Sequence, residues 1–396
     1  MEKCTIIGIS DSRQQWFPPN VAKAIANGKV FSGGKRHRDI VGEMLPADAV
    51  WIDITVPISK VFSQYEAHKE VIIFASGDPL FFGFANTVQR ECPQAEMRVF
   101  PSFNSLQMLA HRLLMPYQDM KIVSLTGRSW DKFDEALISG EPLIGCLTDK
   151  RNTPQAIWQR MHDYGYSNYE MFIGENLGNE ESERIYHIEA AETIFPEKAF
   201  DLSLNCVILQ KLMDRPRPFG IPEQDFHLLD GRQRMITKMP IRLLSLSMLD
   251  LRSKHTFWDV GFCTGSVSIE AKLQFPHLSI TAFEVREEGK ELMEQNSRKF
   301  GTPGIASVIG DFMQQDLTQY PKPDAVFIGG HGGKLVEMLA VLKNALNPNG
   351  CIVFNSVSEE SRQMFEEGCK AAGMTITQST RIAIDSHNPI YIMKAQ

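Results

Sequence analysis

No run of the 396 residues approaches the roughly 18 consecutive apolar residues of a membrane span. The amino-terminal MEKCTIIGISDSRQQ also lacks the apolar core and small-residue cleavage site of a secretory signal, so the expectation is a cytoplasmic protein without membrane contact. Positive charge is not in excess. With 41 Lys+Arg against 48 Asp+Glu, the formal net charge is -7 and the pI about 5.9, which offers no broad basic field for nucleic acid. The seven cysteines form no C-x-x-C pair, and Cys146, Cys206 and Cys351 sit inside apolar runs. They read as reduced core residues, and no metal site is expected. A hydrophobic content of 43% excludes disordered and fibrous classes, and the length suffices for two domains with full cores.

What the chain does contain is organised around Trp258 to Glu270, WDVGFCTGSVSIE. His255 to Val260 is apolar and β-prone, Gly261 and Gly265 permit a tight turn near a ligand, and Ser266 to Leu273 begins a helix. The next apolar run, Leu278 to Phe283, ends in Glu284, a carboxylate placed where ribose hydroxyls would lie. A dinucleotide fingerprint starting at Gly261 would need glycines at 263 and 266, where this chain has Cys263 and Ser266, so NAD is disfavoured. The spacing resembles instead the first motif of Rossmann-like S-adenosylmethionine (SAM) methyltransferases, usually D-x-G-x-G-x-G, here Asp259, Gly261 and Gly265 with Cys263 at the middle position. That resemblance implies SAM contacts from Asp259, Gly261, Phe262, Cys263, Thr264, Gly265 and Glu284. An ordinary ligand-free strand-turn-helix is the plain alternative.

Further strands are expected at Val308 to Phe312, Asp324 to Ile328 and Cys351 to Asn355, then a hairpin of Met374 to Thr380 with Ile390 to Met393, in the methyltransferase strand order. Asp311, beside Phe312, is the acid at the tip of the third strand, where SAM enzymes commonly hold the adenine amino group; a loop-capping carboxylate is the alternative. Gly329-Gly330-His331-Gly332-Gly333 is a glycine-dense turn whose amides, notably at Gly330 and Gly332, are candidates for binding carboxylates. His331 is a candidate chemical participant, though a lone histidine is often structural. Ahead of the cofactor strand, Gly231 to Lys238 leads into a helix over Pro240 to Leu251.

The first 210 or so residues alternate short apolar runs with helical stretches, an α/β pattern. Cys4 to Ile9, Val71 to Ala75, Leu143 to Leu147 and Leu202 to Gln210 are expected strands. Gly33 to Arg38 concentrates positive charge that could meet an anion; a solvated basic loop is the plain alternative. SGDPLFFG after Val71 to Ala75, PSFNSLQ at 101–107, SLTGR at 124–128 and LTDKRNTP at 147–154 together resemble the tetrapyrrole methylase family, in particular its branch that methylates carbon 5 of the precorrin ring. Members usually open with G-x-G-P-G, where this chain has Gly8-Ile9-Ser10-Asp11-Ser12. The resemblance implies a two-lobed fold and SAM contacts near Gly77, Asp78, Asn104 and Ser105.

Met213 to Glu223 holds three of the prolines and no apolar period, and reads as a linker. The expected domains are 1–212 and 225–396, separated by 213–224. In the second half, GIPEQDF, ITK, DVGFCTGS and IGGHGG resemble the family that methylates carbon 15 of the same ring and decarboxylates an acetate side chain. The fused pair implies a bifunctional corrin-pathway methylase with SAM as cofactor, Thr237 at the second cofactor, and a polycarboxylate substrate met by Lys35, Arg36 and Arg128 in the first half and Lys238 in the second. A homo-oligomer is expected. Two other readings stay open: an RNA or protein methyltransferase with an amino-terminal specificity domain, and a non-catalytic SAM-binding regulator. Against the first, the fourth strand ends in IGGHGG and not in an Asn/Asp-Pro-Pro-Tyr turn.

Overall fold

A computed structural model describes residues 1–196, 204–232, 234–384 and 389–396. The chain divides into two compact units. One comprises Met1–Arg128, Pro142–Trp158 and Tyr169–Leu212, the other Ser129–Glu141, Gln159–Asn168 and Met213–Gln396. Residues 129–141 and 159–168 thus count with the second unit, so this unit and the stretch 225–396 are not the same set of residues.

The first unit contains two sheets. The strands β1 (Lys3–Ile9), β2 (Val30–Gly33), β3 (Val50–Asp53), β4 (Glu70–Ser76) and β5 (Glu96–Phe100) form a parallel sheet in the order β3-β2-β4-β1-β5. Its central strands are apolar without interruption because both faces are covered. Ile6, Val71 and Ile73 enter one core cluster and Ile7, Ile9, Ile72 and Phe74 another, the alternation a strand imposes. The second sheet holds β6 (Lys121–Ser124), β7 (Leu143–Leu147), β8 (Tyr169–Glu175), β9 (Arg184–Ile188) and β10 (Asn205–Lys211) in the order β6-β7-β10-β8-β9, with only β6 and β7 parallel. Residues 202 and 203 of the expected last strand lie outside the described residues.

The plain alternative of a loop fails for one basic segment. Gly33 to Arg38 is not a loop, since Gly33 ends β2 and Lys35–Val41 is a helix. The Gly34 N–H donates to His37 Nδ1 (3.2 Å), tying the first turn, while Ile40 and Val41 are buried, so the basic side chains ride on an anchored helix.

The second unit is built on seven strands, β11 (Thr256–Val260), β12 (Ser279–Glu284), β13 (Ile305–Ile309), β14 (Ala325–Ile328), β15 (Cys351–Ser356), β16 (Ile376–Ile382) and β17 (Ile390–Ala395), in the order β13-β12-β11-β14-β15-β17-β16. β17 runs antiparallel to its neighbours and the other pairs are parallel. Trp258, Val260, Ile352 and Phe354 face one core layer, and Phe257, Cys351 and Val353 the other. Strand order reverses between β11 and β14, which opens a crevice at their carboxyl ends, the usual ligand position in such sheets.

Candidate active sites

In the second unit that crevice is a cavity of about 690 Å³. Its floor is the turn after β11. Gly261 has φ +77, and a Cβ there would lie 2.5 Å from the nitrogen of Gly330, so this close approach of two backbones requires glycine. Gly265 has φ +76, and a Cβ there would meet Met293 Sδ at 2.5 Å. Cys263 stands at the middle position with φ +52, so the left-handed conformation normally left to glycine is kept by a residue that pays strain for it. Its N–H donates to Glu284 Oε2 (2.8 Å) and its thiol to Met235 O (3.1 Å); burial raises the thiol's pKa.

Glu284 ends β12 and is 2% exposed. Its Oε1 accepts from the N–H (3.1 Å) and Nη1 (2.9 Å) of Arg286, which together with Cys263 fix the carboxylate against the cavity wall. Next to it, Phe283 and Phe312 pack edge to face on each other at 5.1 Å, and both contribute to one apolar part of the cavity wall. Asp311 also lines the cavity. Its Oδ1 caps Met313 N–H (3.0 Å), and the Lys334 ammonium bonded to Oδ2 (2.8 Å), followed by that backbone bond, lowers its pKa.

Asp259 occupies a different place from the one the motif suggests. It does not line the cavity but is fully buried behind it, Oδ2 accepting from Ser268 N–H (3.2 Å) and Oγ (2.6 Å). Desolvation pushes its pKa up to about 7. Gly265 is likewise outside the lining and shapes the turn from below. Phe262, Cys263, Thr264, Thr237, Lys238, Gly330, His331 and Gly332 do line it. His331 Nδ1 accepts from Gly333 N–H (3.2 Å), which leaves Nε2 as the nitrogen that carries the proton in the neutral ring, and burial lowers its pKa.

The cavity fits a nucleoside sulfonium on three counts: a fixed acid at the position for ribose, an apolar aromatic patch on the wall, and a buried Thr264 hydroxyl with no partner in the protein. Sequence reasoning missed Lys334, Arg286 and Asn355 among the lining residues. Lys334 and Asn355 each lie at the end of an element already read as a strand or turn, so the strand-end rule was the available signal.

In the first unit, the carboxyl ends of β1, β2 and β4 converge. Gly77 has φ +60 and donates its N–H to Ile9 O (2.8 Å), while a Cβ on Gly8 would lie 2.0 Å from Gly77 O. Arg36, expected to meet substrate, is already engaged: Nη1 pairs with Asp11 Oδ1 and Nη2 donates to Ser76 Oγ, both at 2.7 Å. His37 Nε2 lies 2.9 Å from the same hydroxyl. Burial, then neighbouring Arg36, lowers the His37 pKa to about 4, so the ring is neutral. Since Nδ1 accepts from Gly34, Nε2 is the donor to Ser76. Asp78 Oδ1 accepts from Leu80 N–H (2.9 Å) to shape the turn, and Asn104 caps the Ser105–Arg112 helix through Gln107 N–H (2.9 Å). Lys35 is exposed, and Arg128 lies over the ring of Phe82, 5.0 Å from its centroid.

The strand order and the glycine turn with its facing acid define a Rossmann-like methyltransferase domain, preceded by a second α/β unit. Comparison with known proteins makes the assignment particular. The tetrapyrrole (corrin/porphyrin) methylase family matches residues 3–193 and the precorrin methyltransferase domain residues 228–395. A precorrin-6Y C(5,15)-methyltransferase (decarboxylating) from Sinorhizobium sp is 30% identical over 362 residues, spanning 90% of this chain and 85% of that one. Two shorter proteins of Salmonella typhimurium also match: a cobalt-precorrin-6B C(15)-methyltransferase (decarboxylating), 37% identical over 35% of this chain and 70% of its own length, and a cobalt-precorrin-7 C(5)-methyltransferase, 26% identical over 52% and 97%. The chain belongs to the precorrin-6Y C5,15-methyltransferase (decarboxylating) family and is a C-methyltransferase. Among the described residues no helix is long and apolar enough to cross a membrane.

Proposed function

We propose that the chain methylates a precorrin or cobalt-precorrin macrocycle at carbons 5 and 15 with SAM and removes carbon dioxide from a ring acetate. The observation that carries the reading is the Cys263–Glu284 turn at the head of a cavity large enough for a nucleoside and the edge of a larger ring. The first unit serves carbon 5 and the second carbon 15 with decarboxylation, a division supported by the separate carbon-5 and carbon-15 relatives. A bound sulfonium supplies an electrophilic methyl. The protein then needs to hold a nucleophilic ring carbon in line at near-attack distance and exclude water, without a strong base.

In the second unit Glu284 grips ribose, the Phe283–Phe312 patch forms the apolar wall beside the adenine, and Asp311 meets its amino group. Thr237 and the amides of the 261–265 turn surround the methionine end. Lys238 and the amides of Gly330 and Gly332 meet substrate carboxylates, with His331 Nε2 beside them. In the first unit the cofactor lies against Gly77, Asp78, Asn104 and Ser105, while Lys35 and Arg128 face the carboxylates. The Asp11–Arg36–Ser76–His37 cluster orders the strand ends below them. Purified full-length protein incubated with SAM and either metal-free or cobalt-containing precorrin tests the reading. Mass spectrometry should show two added methyl groups and one lost carboxyl in one of the two substrates. Unchanged substrate in both reactions would refute it.

A further inference from the structure

At the strand ends of the first unit, two side chains converge on one hydroxyl. Arg36 and His37 stand in the first turn of the Lys35–Val41 helix, and Ser76 is the last residue of β4. Arg36 Nη2 lies 2.7 Å and His37 Nε2 2.9 Å from Ser76 Oγ. A guanidinium has no acceptor, so the first contact is a donation to the serine. So is the second. The Gly34 N–H donates to His37 Nδ1 (3.2 Å), and in the neutral ring the proton then sits on Nε2.

A serine oxygen offers two lone pairs and one proton. Both lone pairs of Ser76 are taken by these donors, so its O–H points away from them. Among the described residues no group accepts it, and Ser76 is exposed, so the proton is within reach of a ligand. The donors are themselves held. Arg36 Nη1 pairs with Asp11 Oδ1 (2.7 Å), whose other oxygen accepts from Asn179 Nδ2 (3.4 Å). Two N–H donors on one hydroxyl, one of them charged, polarise its O–H and strengthen it as a donor. Ser76 directly precedes the Gly77-Asp78 turn at the carboxyl ends of parallel strands, the usual ligand position in such sheets.

We propose that Ser76 is a ligand-binding residue of the first unit, its hydroxyl donating to a carboxylate of the bound ligands, with Arg36 and His37 as the positioning residues that set the direction of that O–H. This rests on the functional reading above. A carboxylate fits because it only accepts, whereas a donor group on the ligand would find no free lone pair on this oxygen. The ring substrate and the methionine end of SAM both carry that group, and the two sources are separated below. Arg36, on this account, meets the ligand through Ser76 and not directly.

The test uses the full chain carrying Ser76→Ala, which removes the donor, or Ser76→Thr, which keeps it. The precorrin accepted by the wild type is incubated with SAM carrying an isotopically labelled methyl group, and NMR of the product separates the carbon-5 methyl from the carbon-15 methyl. If the carboxylate is the ring's, Ser76→Ala should raise KM for carbon-5 methylation by about tenfold or more with kcat little changed, the scale of one charge-assisted hydrogen bond. If it is the cofactor's, a loss of the same size should appear in SAM affinity at the first site, followed by calorimetry in chains that also carry Glu284→Ala. Ser76→Thr should recover most of either loss, and carbon-15 methylation, the internal control for folding, should hold in both variants. Unchanged carbon-5 KM and SAM affinity in Ser76→Ala would mean that the hydroxyl meets only solvent and would overturn the proposal. Equal losses in the alanine and threonine variants would assign the effect to packing and overturn it too. A wild type that methylates carbon 15 alone would instead bring down the functional reading of the first unit.

Discussion

The backbone N–H of Cys263 donates to Glu284 Oε2 over 2.8 Å, joining the glycine turn of β11 to the acid that ends β12. One carboxylate therefore both shapes the loop and faces the cavity, so in the proposed site loop order and cofactor affinity would be coupled.

Removing that carboxylate tests the coupling. A hydrogen bond to a charged group contributes about 1.5–3 kcal/mol. Glu284→Ala should weaken SAM binding at the second site by roughly tenfold or more. Glu284→Gln, which keeps one acceptor oxygen, should lose less. Calorimetric titration of both variants checks the order, and equal or unchanged affinities would count against the site as drawn.

The φ of +52 at Cys263 gives a second prediction. A β-branched residue is more strained in the left-handed region than an unbranched one. Cys263→Val should lower stability by about 1–2 kcal/mol, whereas Cys263→Gly, which relieves the strain, should not. Denaturant midpoints decide between them.

Asp259 predicts a pH signature. Its folded pKa is raised to about 7 from 3.8, so between those values the folded protein keeps a proton that the unfolded chain has released. Folding binds protons across that window, and this group's contribution to stability falls as pH rises from about 4 to about 7, then levels off. Asp259→Asn has no such proton to lose. Denaturation curves across that range should show a decline in the wild type that the variant lacks; parallel profiles would mean the group is ionised in the fold.

A fourth prediction separates the two activities within the intact chain. A Cβ on Gly8 would lie 2.0 Å from Gly77 O, so Gly8→Ala must displace the strand ends of the first unit. Carbon-5 methylation should drop at least about tenfold, the effect of roughly 1.4 kcal/mol, while carbon-15 methylation and carboxyl loss continue. Product masses from single-substrate incubations distinguish this from loss of both.

The second-unit fold was legible because its signals are local: apolar runs broken by glycine turns, with Glu284 at the end of β12; the third strand was expected at 308–312 but covers Ile305–Ile309, which leaves Asp311 capping the turn after it. The role of Asp259 was not. Motif position marks it as a cofactor contact, but whether an acid at the end of an inner strand turns to the cavity or to the helix behind is settled by packing, here by the Ser268 hydroxyl. Arg36 shows the same limit. Its charge is visible in sequence, whereas Asp11, 25 residues earlier, and Ser76, 40 residues later, meet it only after β1, β2 and β4 are assembled. Cys263 is the converse case, a substitution that seemed to break the motif while the backbone kept the motif's conformation.

The central claim is that one chain carries two separate SAM sites, at Gly77-Asp78 and at Gly261 to Gly265. Calorimetric titration of the full-length protein with SAM tests it most directly. The account predicts two equivalents bound per chain, falling towards one in Glu284→Ala when SAM is held just above the affinity of the first site. A value of one in the wild type, abolished by Glu284→Ala, would contradict it.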